Sequence, residues 1–141
     1  MKLKVTRTDV WMATIEDRAG GTAEKLEPLA NAGANLEFVL VHRIPEHAGK
    51  GIAFIAPVKG AKVTKAAREA GFEKPVNISK VRIEGPDQPG LGAKITRAVG
   101  DASISFRGLS GTVFGRKFVA YLTLDSPIDA AKATRVLKRL R

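Results

Sequence analysis

Residues 16–22 read Glu-Asp-Arg-Ala-Gly-Gly-Thr, and the chain behind them continues an amphipathic pattern as far as Leu36. A second stretch, residues 84–92, reads Glu-Gly-Pro-Asp-Gln-Pro-Gly-Leu-Gly and opens a matching pattern that ends at Phe106. The two stretches align without a gap at an offset of 70 residues. An internal repeat of this kind predicts a protein built from two copies of one structural unit.

The composition fits a globular protein with a strong positive charge. The 141 residues carry a formal net charge of +10, and 44% are hydrophobic but only 6% aromatic. Such a charge favours association with anions and nucleic acids without specifying a fold. The absence of cysteine excludes disulfides, thiolate catalysis and cysteine-ligated zinc. With no apolar run of about 18 residues and no secretory core after residues 1–7, we expect a cytoplasmic protein without a membrane span.

Hydrophobic spacing in copy one predicts the order β-α-β-β-α, with room for a short fourth strand at residues 72–76. Strands are predicted at 10–15, 36–43 and 52–56, and helices from Thr22 and over 62–71. Pro28 lies inside the first helical pattern. Because proline lacks a backbone donor and crowds the preceding turn, we expect a kinked or shortened helix there.

Copy two predicts the same order but ends too early for its own final strand. Strands are predicted at 78–84, 104–114 and 118–124, with a helix between the first two and another at the carboxyl end. Asp125 or Ser126 is the predicted cap of the last helix, ahead of Pro127 at its first position. The predicted domains are residues 1–76 and 77–141, and residues 1–6 are one candidate for the missing strand.

The pattern of residues 17–36 resembles the N-terminal signature of the ACT domain, a small-molecule regulatory module whose motif is roughly Asp-x-Pro-Gly, a helix, then Gly-x-Asn-Ile. Asp87-Gln88-Pro89-Gly90 matches the first half of the motif. Gly33 and Asn35 match the second half, where copy two has Ser103 and Ser105. Copy one departs at Ala19, where the family has proline, and copy two at Gly92, where it has leucine. The resemblance covers nearly the whole chain.

The resemblance implies an α+β fold of two ferredoxin-like βαββα(β) units with antiparallel sheets and helices on one face. Paired domains of this family also form a single eight-stranded sheet. The implied protein is a free-standing, non-catalytic regulator without a cofactor. Its ligand would be an amino acid or related metabolite, bound between the copies or between the chains of a homodimer, and its effect would be on a protein partner.

The two glycine turns are the candidate ligand sites. The first amides of a helix lack intrahelical acceptors and carry partial positive charge, so a carboxylate is a natural ligand there. An aspartate could receive the ligand's ammonium group. The candidate residues are Asp17, Arg18, Gly20, Gly21, Thr22, Asn35, Asp87, Gln88, Gly90, Leu91, Gly92 and Ser105. Alternatively, the aspartates only cap the helices and the glycines only form the turns.

Other functional classes have weaker support in the sequence. No catalytic motif is apparent, and His42 and His47 lack companions for a metal site. A basic RNA- or DNA-binding module is an alternative, because the RNA-recognition motif shares the βαββαβ order. Residues 115–121 partly match its aromatic third strand, whereas copy one does not. A structural dimerisation domain without a ligand is a further alternative.

Overall fold

The structure, a computed structural model, describes residues 2–141 and divides them into two compact units. We call residues 9–75 the inserted unit, and residues 2–8 together with 76–141 the split unit. The elements are β1 (Lys4–Thr8), β2 (Trp11–Glu16), α1 (Gly21–Asn31), β3 (Phe38–Arg43), β4 (Lys50–Ala56), α2 (Ala61–Glu69), β5 (Ser79–Pro86), α3 (Leu91–Asp101), β6 (Gly108–Phe114), β7 (Lys117–Leu124) and α4 (Pro127–Lys138). Within this described part of the chain, no helix is long and apolar enough to cross a membrane.

The inserted unit contains a three-stranded antiparallel sheet in the order β2-β4-β3. Side chains alternate between the two faces of a strand, so Trp11, Ala13 and Ile15 share the face that packs into the core. Leu29 of α1 and Ala67 of α2 complete this core and are fully buried. The unit therefore has its helices on one face of the sheet.

The predicted fourth strand at residues 72–76 is reduced to a single bridge. The amide of Met12 donates to the carbonyl of Glu73, and the amide of Glu73 donates back to Met12, each at 2.9 Å. The position beside β2 is thus occupied by one bridge rather than by a ladder.

The split unit contains a four-stranded antiparallel sheet in the order β1-β5-β7-β6. Its N-terminal strand β1 pairs with β5 from Lys4 opposite Glu84 to Thr8 opposite Lys80. This corrects the predicted boundaries, because the first residues belong with 76–141 rather than with 9–75. The physical reason is that Leu3 and Val5 of this segment are buried in the core of the split unit, 3% and 4% exposed.

The two sheets have four and three strands within residues 2–141. The predicted α+β fold with antiparallel sheets is confirmed, but the strands of one chain do not form a single eight-stranded sheet. The copy that keeps four strands does so by taking β1 from the start of the sequence.

The internal repeat is reproduced in the backbone hydrogen bonds. The amide of Asp17 donates to the carbonyl of Gly49 at 3.0 Å, and the amide of Asp87 donates to that of Arg116 at 2.9 Å. The donors are 70 residues apart and the acceptors 67, because the hairpin of the split unit is three residues shorter. Sequence repetition therefore produces the same turn in both units.

The helix ends follow local sequence rules in one case and depart from them in another. Ser126 caps α4 as predicted, since its hydroxyl accepts a hydrogen bond from the amide of Asp129 at 3.1 Å and Pro127 occupies the first turn.

Pro28 does not shorten α1, which has 11 residues like its counterpart α3. Pro28 lies in the last turn of α1. Because proline has no backbone N–H, one helical hydrogen bond is missing, but this loss falls near the end of the helix.

The loop after α3 contains a serine in the left-handed region, and this generates a stability prediction. Ser103 has φ 59°, whereas the equivalent residue of the inserted unit is Gly33, at φ 94°. A side chain in this region costs about 1 kcal/mol or more. We expect Ser103→Gly to stabilise the split unit by about 1 kcal/mol, measured by urea denaturation and the absorbance of Tyr121, the single tyrosine.

The matched control is Gly33→Ser, which should destabilise the inserted unit by a similar amount. Its unfolding is followed by the fluorescence of Trp11, the single tryptophan. Unchanged stability in both Ser103→Gly and Gly33→Ser, or destabilisation by Ser103→Gly, would contradict the left-handed conformation of these two positions.

Candidate functional site

The first glycine turn places the start of α1 directly against the end of β2. Gly20 precedes the helix in the left-handed conformation, at φ 84°. Gly21 is buried, and a Cβ atom there would lie 2.1 Å from the carbonyl oxygen of Glu16. Only glycine fits this approach, which holds the first turn of α1 close to the end of β2.

A cavity of about 210 Å³ opens beside this turn. Its lining comes from the end of β2, the following turn, the end of β3 and the start of β4, and consists of Ile15, Glu16, Asp17, Arg18, Thr22, Val41, His42, Arg43 and Gly51. These segments meet because β2 and β3 both pair antiparallel with β4, so that Ile15 and Arg43 each lie opposite Gly51. We call this the zwitterion cavity.

The zwitterion cavity is lined by equal numbers of carboxylates and guanidinium groups. Arg43 Nε donates to Asp17 Oδ2 at 2.8 Å, and Lys50 Nζ donates to Glu16 Oε1 at 2.7 Å. The hydrogen bond from Lys50 lowers the pKa of Glu16, and the hydrogen bond to Glu24 raises the pKa of Arg18. The lining therefore presents two anions and two cations at neutral pH.

The backbone adds donors next to these charges. The amide of Gly21 donates to Arg18 and that of Glu24 to Gly20, each at 3.0 Å. Among residues 2–141, the amides of Thr22 and Ala23 have no backbone acceptor. They are the exposed donors of a helix N-terminus and lie beside the Thr22 side chain that lines the cavity.

The structure brings together part of the predicted first site. Asp17, Arg18 and Thr22 line the zwitterion cavity, and Gly20 and Gly21 shape the turn beside it. Asn35 lies past the far end of α1 and lines a different cavity, of about 220 Å³. A helix of 11 residues is roughly 16 Å long, so a small ligand at the turn is out of reach of Asn35.

The predicted second site is less complete. Gly90 has the same left-handed conformation as Gly20, at φ 81°. Leu91, however, is only 2% exposed and packs in the core, so its side chain cannot face a ligand. Ser105 lies beyond the far end of α3, as Asn35 does in the other unit. Asp87 is exposed, and the remaining predicted residues, Gln88 and Gly92, are half-buried.

A larger cavity of about 480 Å³ lies next to this second turn in the split unit. Its lining is Lys2, Lys4, Glu84, Gly85, Pro86, Arg116 and Lys117, none of which was predicted as a site residue. Hydrogen bonds from Arg82 and then from Lys117 lower the pKa of Glu84 to about 2. We call this the basic cavity.

Several lining residues of the zwitterion cavity were also not predicted. Val41, His42, Arg43 and Gly51 belong to β3 and β4, far from the turn in sequence. Pairing the predicted strands around the 45–51 loop would have placed Arg43 opposite Gly51. The register of this hairpin could therefore have indicated that these residues lie near the turn. Gly51 also has a local role, because a Cβ there would lie 3.0 Å from the His42 carbonyl and 3.1 Å from Ile15.

Comparisons with known proteins bear on the fold. No protein-family model and no curated protein sequence matches the chain. Protein BT0572 from Bacteroides thetaiotaomicron matches with a TM-score of 0.76 at 17% identity, over 93% of this chain and 88% of that one. The regulatory subunit of aspartate kinase from Thermus thermophilus, in its ligand-free form, matches at 0.68 and 16% identity, over 99% and 97%. That of Thermus flavus matches at 0.60 and 19% identity, over 97% and 95%.

These matches extend along nearly the full length of both chains. At such low identities they establish the fold, and the expected ferredoxin-like, ACT-type fold is confirmed. This chain is similar in architecture to the regulatory subunits of aspartate kinase.

The lowered pKa of Glu84 predicts that the split unit loses folding stability at acid pH. The folded-state pKa of about 2 lies below the ordinary value of 4.5, so the stabilisation is fully present above pH 4.5 and is lost as the pH falls towards 2. We expect Glu84→Gln to be less stable than the native chain at pH 6, with the difference shrinking between pH 4.5 and 2. Urea denaturation at each pH, followed by Tyr121 absorbance, measures this.

Asp87→Asn is the matched control, since Asp87 is an exposed carboxylate without an ion pair among residues 2–141. If the stability difference caused by Glu84→Gln did not change with pH, the assigned hydrogen bonds from Arg82 and Lys117 would be wrong.

Proposed function

We propose that this chain is a non-catalytic regulatory protein that binds a small amino acid, or a closely related metabolite, in the zwitterion cavity. The observation that carries the proposal is the charge balance of the lining, in which Glu16 and Asp17 stand with Arg18 and Arg43 beside exposed helix amides. An α-amino acid carries one carboxylate and one ammonium group. The cavity offers complementary groups for both.

The orientation of the ligand follows from the charges. Its carboxylate would accept hydrogen bonds from the amides of Thr22 and Ala23, where the helix N-terminus adds partial positive charge. Its ammonium would donate to Asp17, whose carboxylate is bonded to Arg43 at 2.8 Å through one oxygen. A carboxylate has about four acceptor sites in its two oxygens, so the Arg43 bond leaves room for a second donor.

The size of the cavity restricts the ligand. Ligand pockets for drug-sized molecules run from about 300 to 1,000 Å³, and the zwitterion cavity is about 210 Å³. Val41 and His42 line its remaining wall. These dimensions favour an amino acid with a short side chain.

The overall architecture supports a regulatory role. The full-length likeness to regulatory subunits of aspartate kinase fits a chain that acts on another protein. The family resemblance of the sequence adds the expectation of a homodimer. A ligand can regulate a partner only if it binds the partner-bound and free states with different affinities. We infer that amino-acid binding changes the affinity of this chain for a protein partner.

The nucleic-acid alternative receives less support. RNA-recognition sheets stack bases on exposed aromatic side chains. The partial match has two aromatic residues. Phe118 packs against the core, and Tyr121 is only 9% exposed, with its hydroxyl accepting a hydrogen bond from Arg82 at 3.2 Å. A dimerisation domain without a ligand would not need a charged cavity at the turn.

The proposal predicts amino-acid binding that depends on Asp17 and Arg43. The full chain is screened against the twenty amino acids by thermal melting, because a ligand at 100 times its Kd adds about 2.7 kcal/mol of stability. For a ligand found this way, we expect Asp17→Asn to weaken binding by about tenfold or more, since hydrogen bonds to charged groups contribute about 1.5–3 kcal/mol. Arg43→Gln should weaken binding as well, because Arg43 holds the Asp17 carboxylate in position. Isothermal titration calorimetry gives the affinities.

Asp125→Asn is the matched control. It removes the carboxylate from another exposed ion pair, that of Arg107 with Asp125 in the split unit, and should leave the affinity unchanged. No stabilisation by any amino acid would refute the proposed function, and equal weakening by Asp125→Asn would refute the assigned site.

A further inference from the structure

The basic cavity has a composition that the zwitterion cavity does not share. Among the residues that the structure describes, seven line the basic cavity. Four of them are basic, namely Lys2, Lys4, Arg116 and Lys117, and Glu84 is the single carboxylate. At neutral pH the lining carries a formal charge of +3. The two cavities therefore cannot be selective for the same ligand.

Glu84 is already neutralised from within the protein. Arg82 donates to one of its oxygens and Lys117 Nζ to the other, at 3.1 Å, and the Glu84 side chain is only 16% exposed. Arg82 is held in turn by the hydroxyl of Tyr121. This network fixes the carboxylate and one lysine in place, so Glu84 does not offset the other three cations.

The other three cations lack a counter-charge. Among residues 2–141, neither Lys2, Lys4 nor Arg116 forms an ion pair with a carboxylate. Lys4 lies directly opposite Glu84 in the ladder between β1 and β5 but is not bonded to it. Three like charges that converge on one cavity repel one another, and a bound anion would relieve this repulsion.

The inserted unit has no such cluster at the equivalent positions. Gly49 stands where the split unit has Arg116, and Glu16 stands where it has Pro86. Lys2 and Lys4 have no counterpart, because the position beside β2 holds a single bridge instead of a strand. The cluster is thus a feature of the split unit and depends on β1.

We propose that the basic cavity binds a small multivalent oxyanion, of the kind presented by a phosphate or pyrophosphate group or by a polycarboxylate. Arg116 would supply the planar pair of donors that suits such oxygens, and Lys2, Lys4 and Lys117 would supply charge. A volume of about 480 Å³ accommodates a small metabolite. The chain would then respond to an anionic ligand as well as to an amino acid.

The cations favour a compact anion over a nucleic acid. Proteins that bind single strands track the backbone with a charged groove and stack the bases on aromatic side chains. Here the cations surround one cavity, and its remaining lining is Gly85, Pro86 and the hydrogen-bonded Glu84. Within residues 2–141, no aromatic side chain lines it.

The test is isothermal titration calorimetry of the full chain with sodium pyrophosphate at constant ionic strength. We expect saturable binding to one site per chain. The double variant Lys4→Gln, Arg116→Gln should weaken it at least tenfold. The matched control Lys132→Gln, Arg135→Gln removes two exposed cations of α4 from the same unit and should change it less than twofold.

A second variant gives a change of opposite sign. Glu84→Gln removes the only carboxylate of the cavity and releases Lys117, so pyrophosphate binding should strengthen several-fold. Titrations with inorganic phosphate and citrate identify the source of the oxyanion. Preference for pyrophosphate and phosphate assigns phosphate ligands, and preference for citrate assigns polycarboxylates.

Three results would overturn the proposal. The first is no saturable binding of any of these anions. The second is equal weakening by the two double variants, which would mean that only the overall field of the protein attracts anions. The third is single-stranded RNA binding that loses affinity equally in both double variants while pyrophosphate fails to compete.

Discussion

The antiparallel pairing of β1 with β5 is the constraint on which the split unit depends. It places Leu3 and Val5, 3% and 4% exposed, in the core beneath the helices. The fit is close, because a Cβ at Gly85 would lie 2.6 Å from the Leu3 side chain. The same pairing carries Lys2 and Lys4 to the end of the sheet, so a strand taken from the start of the sequence completes both the core and the basic cavity.

The repeat preserves backbone geometry while exchanging side-chain volume. In the inserted unit a large residue on the strand, Ile15, goes with Gly21 on the helix, and in the split unit Gly85 on the strand goes with Leu91 on the helix. The Leu91 side chain reaches within 3.5 Å of where a Gly85 Cβ would be. Cores are close-packed, so paired changes of size are tolerated better than single ones. In the split unit this exchange buries the side chain of Leu91, a predicted site residue.

Local signals predicted most of the elements and three of the residues that line the zwitterion cavity, Asp17, Arg18 and Thr22. Hydrophobic spacing predicted all four helices, and turn chemistry predicted Gly20 and the Ser126 cap. The pairing of β1 with β5 was predicted only as one candidate, from the missing final strand of copy two, because strand pairing across the whole inserted unit leaves no local pattern. Asn35 was grouped with the turn through a family motif, although a full helix separates the two. Residues that belong to one sequence motif need not lie close together in the folded chain.

The charges around the two glycine turns differ more between the units than the backbone geometry does. Both turns keep a left-handed glycine, an aspartate and the same backbone hydrogen bond to the hairpin. Around this shared frame, the inserted unit pairs each cation near its cavity with a carboxylate, as Arg43 is paired with Asp17. The split unit instead gathers cations that have no carboxylate, such as Arg116. Because the frame is common and the charges are not, the two proposed sites would differ in selectivity through the strand ends and the hairpin rather than through the glycine turn.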